Sequence, residues 1–265
     1  MEKIISDMPC AMTIAGSDSG AGAGIQADLF AFAANGVYGT SAIAALTAQN
    51  PDEVRAISSP DSAMLRAQAE TVAEFYAPKA AKTGMLFCAD IVETVADFFL
   101  KHREIALVVD PVMISTSGAK LLKDDAVSAL KEKLIPLAKV FTPNIDEAEF
   151  LLGEKISDPL SAAKKLREKF GAGVLLKGGH LKSDRLTDVL ACADGKVLEF
   201  FCERIKGVNT HGSGCTLSAA IAANLAKGLP LPEAVERART YLLAGMKNPL
   251  KVGGQYFINH FPNLG

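Results

Sequence analysis

Short apolar runs alternate with longer amphipathic segments along most of the chain. The apolar runs predict strands at 11–15, 39–47, 80–83, 107–110, 140–142, 173–177 and 187–191. The amphipathic segments predict helices near 24–36, 61–77, 90–103, 122–135, 145–153, 159–170, 213–227 and 232–247. Residues 107–109 and 174–176 are apolar at every position, which is typical of central parallel strands covered by helices on both faces. The pattern therefore predicts an α/β fold with an open, doubly wound sheet.

The last third of the chain adds antiparallel strands to this pattern. Asp194 and Gly195 separate two strand-like runs, 189–191 and 197–201, and an Asp-Gly pair in that setting predicts a hairpin. The sequence contains no internal repeat, low-complexity segment or linker-like stretch. We therefore expect a single domain spanning 1–265.

Composition and charge narrow the class of protein. The 265 residues are 49% hydrophobic and 22% charged, an ordinary globular balance, and the net charge of −2 argues against a nucleic-acid or membrane partner. No run of about 18 apolar residues predicts a membrane span, and the first residues do not resemble a signal peptide. The five cysteines are odd in number, with no pair at C-x-x-C spacing, so we expect a reducing, cytoplasmic location.

A glycine-rich turn before the helix at 213–227 is the strongest chemical signal. Residues 209–216 read Asn-Thr-His-Gly-Ser-Gly-Cys-Thr, so Gly212, Ser213 and Gly214 place backbone N–H groups at a helix start, where anions bind. Cys215 falls in the first turn, where a thiol ionises easily. An anion cradle beside a base suits phosphoryl transfer to an alcohol. An inert apolar filler is the alternative for Cys215, and His211 is equally consistent with a loop residue.

A second glycine-rich segment, 15–28, follows the first strand. It departs from the dinucleotide-binding pattern because Ile25 stands at the third glycine position and no acidic residue follows in the next strand. A Walker A motif is absent as well: the Gly195-Lys196 pair is followed by Val197 within the hairpin. A kinase with this sequence is not a P-loop kinase.

Polar side chains follow three of the predicted parallel strands. Asp110 ends one strand, Asn144, Asp146 and Glu147 follow another, and Lys177 ends a third. Parallel strands bring such positions to one edge of the sheet, where ligands of doubly wound folds bind. Carboxylates there suit Mg²⁺, although acidic residues in a first helical turn commonly only complement the helix dipole. Together they predict a nucleotide and metal site.

Nine short motifs occur in order at 13–18, 22–28, 36–39, 48–50, 82–86, 110–113, 142–144, 177–180 and 211–216. Together they resemble the hydroxymethylpyrimidine/phosphomethylpyrimidine kinases of thiamine biosynthesis, within the ribokinase-like superfamily. The resemblance covers residues from about 10 to 226. It implies a three-layer α/β/α fold with a mostly parallel central sheet and a small β-lid, commonly as a homodimer.

The resemblance implies ATP-dependent phosphorylation of 4-amino-5-hydroxymethyl-2-methylpyrimidine and then of its monophosphate. It implies substrate contacts at Ala23, Gln49, Met85, Val112, Gly16 and Asp28. It makes Cys215 the base, where ribokinase relatives carry an aspartate, with Gly212, Ser213 and Gly214 meeting the transferring phosphoryl group. Lys177, Asn144 and Gly178 are assigned to the nucleotide, and Glu147, Asn144 and Asp110 to Mg²⁺. A requirement for a monovalent cation is left open.

Two positions depart from the family pattern, and three alternatives stay open. Ala21 replaces a commoner glycine, and Leu29 stands where many members carry lysine. The first alternative is a pyridoxal or pyridoxine kinase, or an enzyme of dual specificity, although residues 48–50 and 177–180 favour the pyrimidine enzyme. The second is a cysteine hydrolase or acyltransferase built on Cys215 and His211. The third is a catalytically silent vitamin- or nucleotide-binding protein.

Overall fold

A nine-stranded sheet crosses the computed structural model, which describes residues 7–113, 122–178 and 185–262. Its strands are β1 (Cys10–Asp18), β2 (Tyr38–Gln49), β3 (Val54–Ser58), β4 (Ala80–Thr83), β5 (Ala106–Val109), β6 (Val140–Phe141), β7 (Gly173–Leu176), β8 (Arg185–Ala191) and β9 (Val197–Glu203). A separate hairpin pairs β10 (Leu250–Val252) with β11 (Gln255–Phe257).

The helices of the described residues fall between these strands. They are α1 (Gly24–Ala34), α2 (Ser62–Tyr76), α3 (Ala89–Lys101), α4 (Asp124–Ala129), α5 (Ile145–Leu152), α6 (Pro159–Phe170), α7 (Ser213–Ala226) and α8 (Leu231–Lys247). Helix α4 continues into a π-helical turn, Leu130–Leu134, and a 3₁₀ turn, Ile135–Leu137.

The sheet order is β3-β2-β1-β4-β5-β6-β7-β8-β9. The six strands from β2 to β7 are parallel, while β3 at one edge and β8 and β9 at the other are antiparallel. Each antiparallel addition follows a short connection, whereas the parallel pairs are joined through helices. The predicted mostly parallel, doubly wound sheet is confirmed.

Two apolar clusters place the helices in layers on either face of the sheet. One face packs against α2 to α6, with Leu65, Phe98 and Leu166 fully buried or nearly so. The other packs against α1, α7 and α8, with Phe32 and Ile221 out of solvent. The central strands are therefore covered on both sides, as their unbroken apolar sequence requires. The three-layer α/β/α architecture is confirmed.

The structure adds elements that the apolar pattern did not predict. β3, β10 and β11 are short and mostly exposed, so they lack a long apolar run. The predicted helix at 122–135 begins at Asp124 and loses α-helical geometry after Ala129, ahead of Pro136, which has no N–H to donate. One sheet runs through all three described segments, and the single domain over 1–265 stays a prediction. Among the described residues, no helix has the length and apolar content needed to cross a membrane.

A buried leucine on the central sheet gives a test of this layer arrangement. Leu175→Ala in β7, fully buried against the α7–α8 layer, is expected to lower the free energy of unfolding by about 2–5 kcal/mol. The matched change Leu100→Ala, at a position that is 52% exposed, is expected to cost less than about 0.5 kcal/mol. Urea unfolding of both variants measures the difference; equal losses would contradict the assigned layers.

Candidate active site

The carboxyl ends of the parallel strands form the floor of a cleft. β1 pairs with β4 only as far as Ile14, so its last four residues extend beyond the end of β4. At the other side, β8 pairs with β7 only from Val189 onward, so Arg185 and the next three residues also project past the edge. The predicted site residues lie along this edge, between the two projections.

The glycine-rich turn is held in place by the N-terminal loop. Gly212 is the N-cap of α7 with φ +77°, and a methyl group on it would overlap the carbonyl oxygen of Gly22. Only glycine permits this close approach together with this backbone conformation. The N–H of Ser213 is already donated to the carbonyl of Thr210 at 3.0 Å, so in the free protein it is not an available anion donor.

Gly214, the second residue of α7, faces two charged side chains. The position of a Cβ atom on Gly214 lies 3.4 Å from both Asp110 Oδ2 and Lys177 Nζ. Lys177 Nζ is 3.1 Å from Asp110 Oδ1, which also accepts from Thr142 Oγ1 at 3.2 Å. Burial disfavours the charged form of Lys177, but the nearby Asp110 raises the pKa of Lys177 and keeps the ammonium group charged. The helix start, the predicted nucleotide lysine and one predicted metal ligand therefore meet.

Cys215 is half-buried, and its thiol is harder to ionise than its helix position suggested. Burial raises the pKa of Cys215 to about 11; Lys82 opposes the shift, while the negative charge of Asp28 adds to it. The backbone N–H of Gly24, at the start of α1, donates to the sulfur and favours the thiolate. The expectation of an easily ionised thiol is wrong for the free protein, because removal from water outweighs the opposing effects of Lys82 and the Gly24 N–H.

Asp28 lies beneath the cleft and not in it. Its carboxylate is fully buried and receives Lys82 Nζ at 2.8 Å on both oxygens and Thr13 Oγ1 at 2.6 Å on one. With its oxygens so occupied, a direct substrate contact by Asp28 is corrected to a supporting position below Cys215.

Three of the predicted substrate contacts lie together. Met85 and Val112 belong to one small apolar cluster with Phe87, and a Cβ on Gly16 would lie 3.3 Å from Met85 Sδ. Val112 has φ +37°, a conformation that is rare for a β-branched residue and costs about 1–3 kcal/mol. Such strain clusters at binding sites, where surrounding structure enforces it.

Gln49 and Ala23 approach the same glycine turn from the other side. Gln49 Nε2 is 3.3 Å from His211 Nε2, and its Oε1 accepts from Thr47 Oγ1 at 3.2 Å. His211, left unassigned by the sequence, is buried and lies 3.0 Å from Asp18 Oδ2, which also accepts the N–H of Ala23. The His211 contact lowers the pKa of Asp18 against the effect of burial. Asp18 and His211 thus lie against the predicted substrate contacts Gln49 and Ala23, a placement that the sequence did not indicate.

The arrangement around His211 bears on the cysteine-hydrolase alternative. Asp18 supplies the orienting carboxylate that a Cys–His dyad would need. Among the described residues, however, the His211 ring is hydrogen-bonded to Asp18 and lies 3.3 Å from the Gln49 amide, while the Cys215 sulfur receives the N–H of Gly24. The His211 ring is therefore committed to Asp18, and no hydrogen bond within the described part of the chain joins it to the thiol.

Asn144 and Glu147 form the first turn of α5. The Asn144 side chain accepts from the Glu147 N–H at 2.8 Å, and Glu147 accepts from the Asn144 N–H at 2.9 Å, a reciprocal capping box. Glu147 Oε1 also lies 3.4 Å from the N–H of Met113. Burial raises the pKa of Glu147, with Lys177 opposing and Asp110 adding to the shift.

These contacts test whether the predicted metal set suits Mg²⁺. All three donors offer oxygen, the ligand Mg²⁺ prefers, and the positive charge of Lys177 acts on both buried acids, Asp110 and Glu147. A cation near them would offset the remaining negative charge. Among the described residues no cluster of three His, Cys, Asp or Glu side chains is arranged to enclose a metal, so protein groups would supply only part of its coordination.

Gly178 is fixed by a pair that the sequence did not indicate. Its N–H donates to Asp188 Oδ1 at 2.8 Å, and Asp188 Oδ2 accepts from Arg239 Nε at 2.8 Å. A carboxylate on β8 and a guanidinium on α8 thus set the backbone after Lys177. Gly179 and His180 of the same motif lie outside the described residues.

Comparison with known proteins adds sequence relationships to this geometry. Residues 18–260 match the family model described as phosphomethylpyrimidine kinase. The chain is 46% identical over 264 residues to a hydroxymethylpyrimidine/phosphomethylpyrimidine kinase from Haemophilus influenzae, covering 97% of this chain and 98% of that protein.

Solved structures related to the chain include two kinds of vitamin kinase. A Bacillus subtilis pyridoxal kinase in complex with ADP is 37% identical, with a TM-score of 0.87 and coverage of 96% of this chain and 98% of that chain. A phosphomethylpyrimidine kinase from Clostridium difficile is 40% identical, with a TM-score of 0.79 and coverage of 89% and 98%.

Two glycines at opposite ends of α7 separate backbone strain from close packing. Gly212 and Gly228 both have positive φ, but a methyl group at Gly228 would meet nothing within 4 Å. Gly228→Ala is expected to cost about 1–2 kcal/mol of stability through φ alone. Gly212→Ala is expected to cost more and also to weaken nucleotide binding, because the start of α7 must move from Gly22. Thermal melting with and without ATP measures both effects; similar behaviour of the two variants would disprove the docking.

Proposed function

The chain belongs to the phosphomethylpyrimidine kinase family, and we propose that it phosphorylates 4-amino-5-hydroxymethyl-2-methylpyrimidine and then its monophosphate, with ATP as donor. The observation that carries this proposal is the meeting, at the start of α7, of Gly214, Lys177 and Asp110 beside Cys215. A phosphate cradle and a proton acceptor thus adjoin in one cleft. The 46% identity to the Haemophilus influenzae enzyme supports this choice of reaction.

The pyrimidine is held on the β1–β2 side of the cleft. The amide of Gln49 donates to a ring nitrogen and accepts from the exocyclic amine, as its two polar atoms allow. Met85 and Val112 sandwich the flat ring from their shared apolar cluster, while the glycine at position 16 leaves room beside Met85. Ala23 closes the same pocket next to the glycine turn. His211, whose Nε2–H donates to Asp18, lies beside the Gln49 amide and limits the space that this amide can occupy.

The nucleotide phosphates lie on the β7 side. Lys177 neutralises phosphate charge from the end of the strand, and the Gly178 backbone is preset by Asp188. Gly212 and Gly214 offer N–H groups to the charge that grows on the transferring phosphoryl group, with the positive end of α7 behind them. Ser213 joins them only if its N–H leaves Thr210.

Phosphoryl transfer moves one proton and exchanges one bond. The hydroxymethyl oxygen attacks the γ-phosphorus, its proton passes to Cys215 Sγ, and the bond from the γ-phosphorus to the bridging oxygen breaks to release ADP. The thiolate is the form that accepts the proton, and it is scarce at neutral pH because burial raises the pKa of Cys215. The rate of the chemical step therefore rises with pH across the neutral range.

Mg²⁺ is included in the proposal. Glu147, Asn144 and Asp110 would hold it, directly or through water, and it would shield the phosphate charge from the thiolate. The oxygen chemistry of these three residues supports the choice. From the family resemblance we also predict a homodimer and a cytoplasmic location. The resemblance makes no prediction about a monovalent cation.

Pyridoxal phosphorylation is the second candidate, because the fold overlays a pyridoxal kinase with a TM-score of 0.87. We expect kcat/KM for the pyrimidine alcohol to exceed that for pyridoxal at least about tenfold. The Gln49 amide pairs with the ring nitrogen and the exocyclic amine of the pyrimidine, whereas pyridoxal lacks this pair of groups and would leave the amide unpaired. A coupled assay of ADP release with each alcohol measures this ratio. Comparable or reversed values would assign the chain to the pyridoxal kinases instead.

Cys215 has its own test. Cys215→Ala is expected to lower kcat by about 10²–10⁴-fold, the usual contribution of a positioned base, while ATP binding is retained. Single-turnover phosphate transfer and ATP-stabilised melting give the two readouts. Cys88→Ala, which removes another partly buried thiol, serves as the control and keeps its activity. Near-normal turnover of the Cys215 variant would reduce this residue to a packing role.

A further inference from the structure

A buried ion pair lies one helical turn from the N–H group that the Cys215 sulfur receives: Gly24 donates to the sulfur, and Asp28 of the pair follows four residues later on the same face of α1. Lys82 Nζ is 2.8 Å from both carboxylate oxygens of Asp28, and neither side chain has any exposed surface. Taking two charges out of water is costly, and such pairs contribute little net stability compared with apolar residues of the same size. Two apolar side chains would fill the space between β4 and α1 without that desolvation cost. Stability alone therefore does not explain why this position carries two charges.

The surroundings of Lys82 supply one. A Cβ atom on Gly84 would lie 2.9 Å from Lys82 Nζ, so the glycine leaves the ammonium group its space below the cleft floor. Burial opposes the charged form of Lys82, but the hydrogen-bonded charge of Asp28 and the charges of Cys215 and Asp110 together outweigh it and raise the pKa of Lys82. The ammonium group therefore stays charged and lies within electrostatic reach of the sulfur.

We propose that Lys82 is a positioning residue for phosphoryl transfer, whose buried positive charge stabilises the thiolate of Cys215 while Asp28 holds the ammonium group in place and moderates its effect. The inference rests on the proposed function, in which Cys215 accepts the proton of the substrate hydroxyl. Lys82 itself neither gains nor loses a proton in the step.

Charged groups from several elements act on Cys215, and the sign of each charge decides whether it favours or disfavours the thiolate. Asp28 on α1 and Asp110 after β5 disfavour the thiolate, whereas Lys82 on β4 favours it. Lys177 after β7 also interacts with the sulfur, and its charge has the same sign as that of Lys82. Lys82 is the largest favourable influence on the thiolate, and Asp28 is the largest opposing charge.

The test uses two variants that break the same ion pair. Lys82→Met is expected to raise the pH midpoint of Cys215 alkylation by iodoacetamide by about one unit or more, and Asp28→Asn is expected to lower it. Peptide mass spectrometry separates Cys215 from the other four cysteines. The rising limb of kcat against pH is expected to shift in the same direction as the alkylation midpoint. If the ion pair only stabilises the fold, the two variants would shift the alkylation midpoint in the same direction or not at all. Either outcome overturns the proposal.

Two further variants keep the result interpretable. Thr13→Val removes the 2.6 Å hydrogen bond to Asp28 without changing any charge, and the midpoint is expected to stay where it is. If Lys82→Met does not fold, Asp28→Asn is compared with the double variant Asp28→Asn/Lys82→Met, in which the midpoint is expected to rise. Absence of that rise contradicts the role of Lys82. Failure of the wild type to phosphorylate the pyrimidine alcohol contradicts the proposed function instead.

Discussion

The contact between Gly212 and Gly22 is the constraint on which the rest of the site depends. It fixes the start of α7 against the loop that follows β1, because neither a side chain nor a different backbone conformation fits at Gly212. α1 begins in the same place, and its first N–H, from Gly24, points at Cys215. Two helix starts therefore converge on one sulfur, and the same backbone contact positions the proposed anion cradle, the proposed base and the proposed substrate loop.

Charge is organised along the cleft as three carboxylate–cation pairs below or beside the reacting atoms. Asp28 pairs with Lys82, Asp110 with Lys177, and Asp188 with Arg239, and all three are buried or nearly so. Each pair joins elements that are distant in the chain and adjoins one part of the proposed site: the sulfur, the proposed phosphate-binding lysine or the Gly178 backbone. Glu147 lies beside the middle pair, within electrostatic reach of Lys177, and the proposed Mg²⁺ would offset its charge.

The sequence predicted the framework well, because the periodicity of buried strands and amphipathic helices is local. Strands such as β4 and helices such as α6 were located to the residue. The edge strand β3 was not predicted, because it is held by its pairing with β2 and its sequence has no long apolar run. The low pKa expected for Cys215 at a helix start was wrong, because burial by distant elements raises that pKa. The sequence assigned no role to His211 or Lys82, since their partners are 193 and 54 residues away.

We propose that one cleft performs both phosphorylations, with Cys215 as the base that takes the hydroxyl proton in the first. Quenched time courses with the pyrimidine alcohol or its monophosphate and ATP–Mg²⁺, analysed by mass spectrometry for wild type and Cys215→Ala, test this proposal most directly. In the wild type, monophosphate is expected to accumulate and then to be consumed into diphosphate. Cys215→Ala is expected to slow the first step more than the second, because the phosphate oxygen that attacks in the second step is largely ionised at neutral pH. A variant that forms monophosphate at the wild-type rate, or a wild type that leaves the alcohol unchanged, would contradict the proposal.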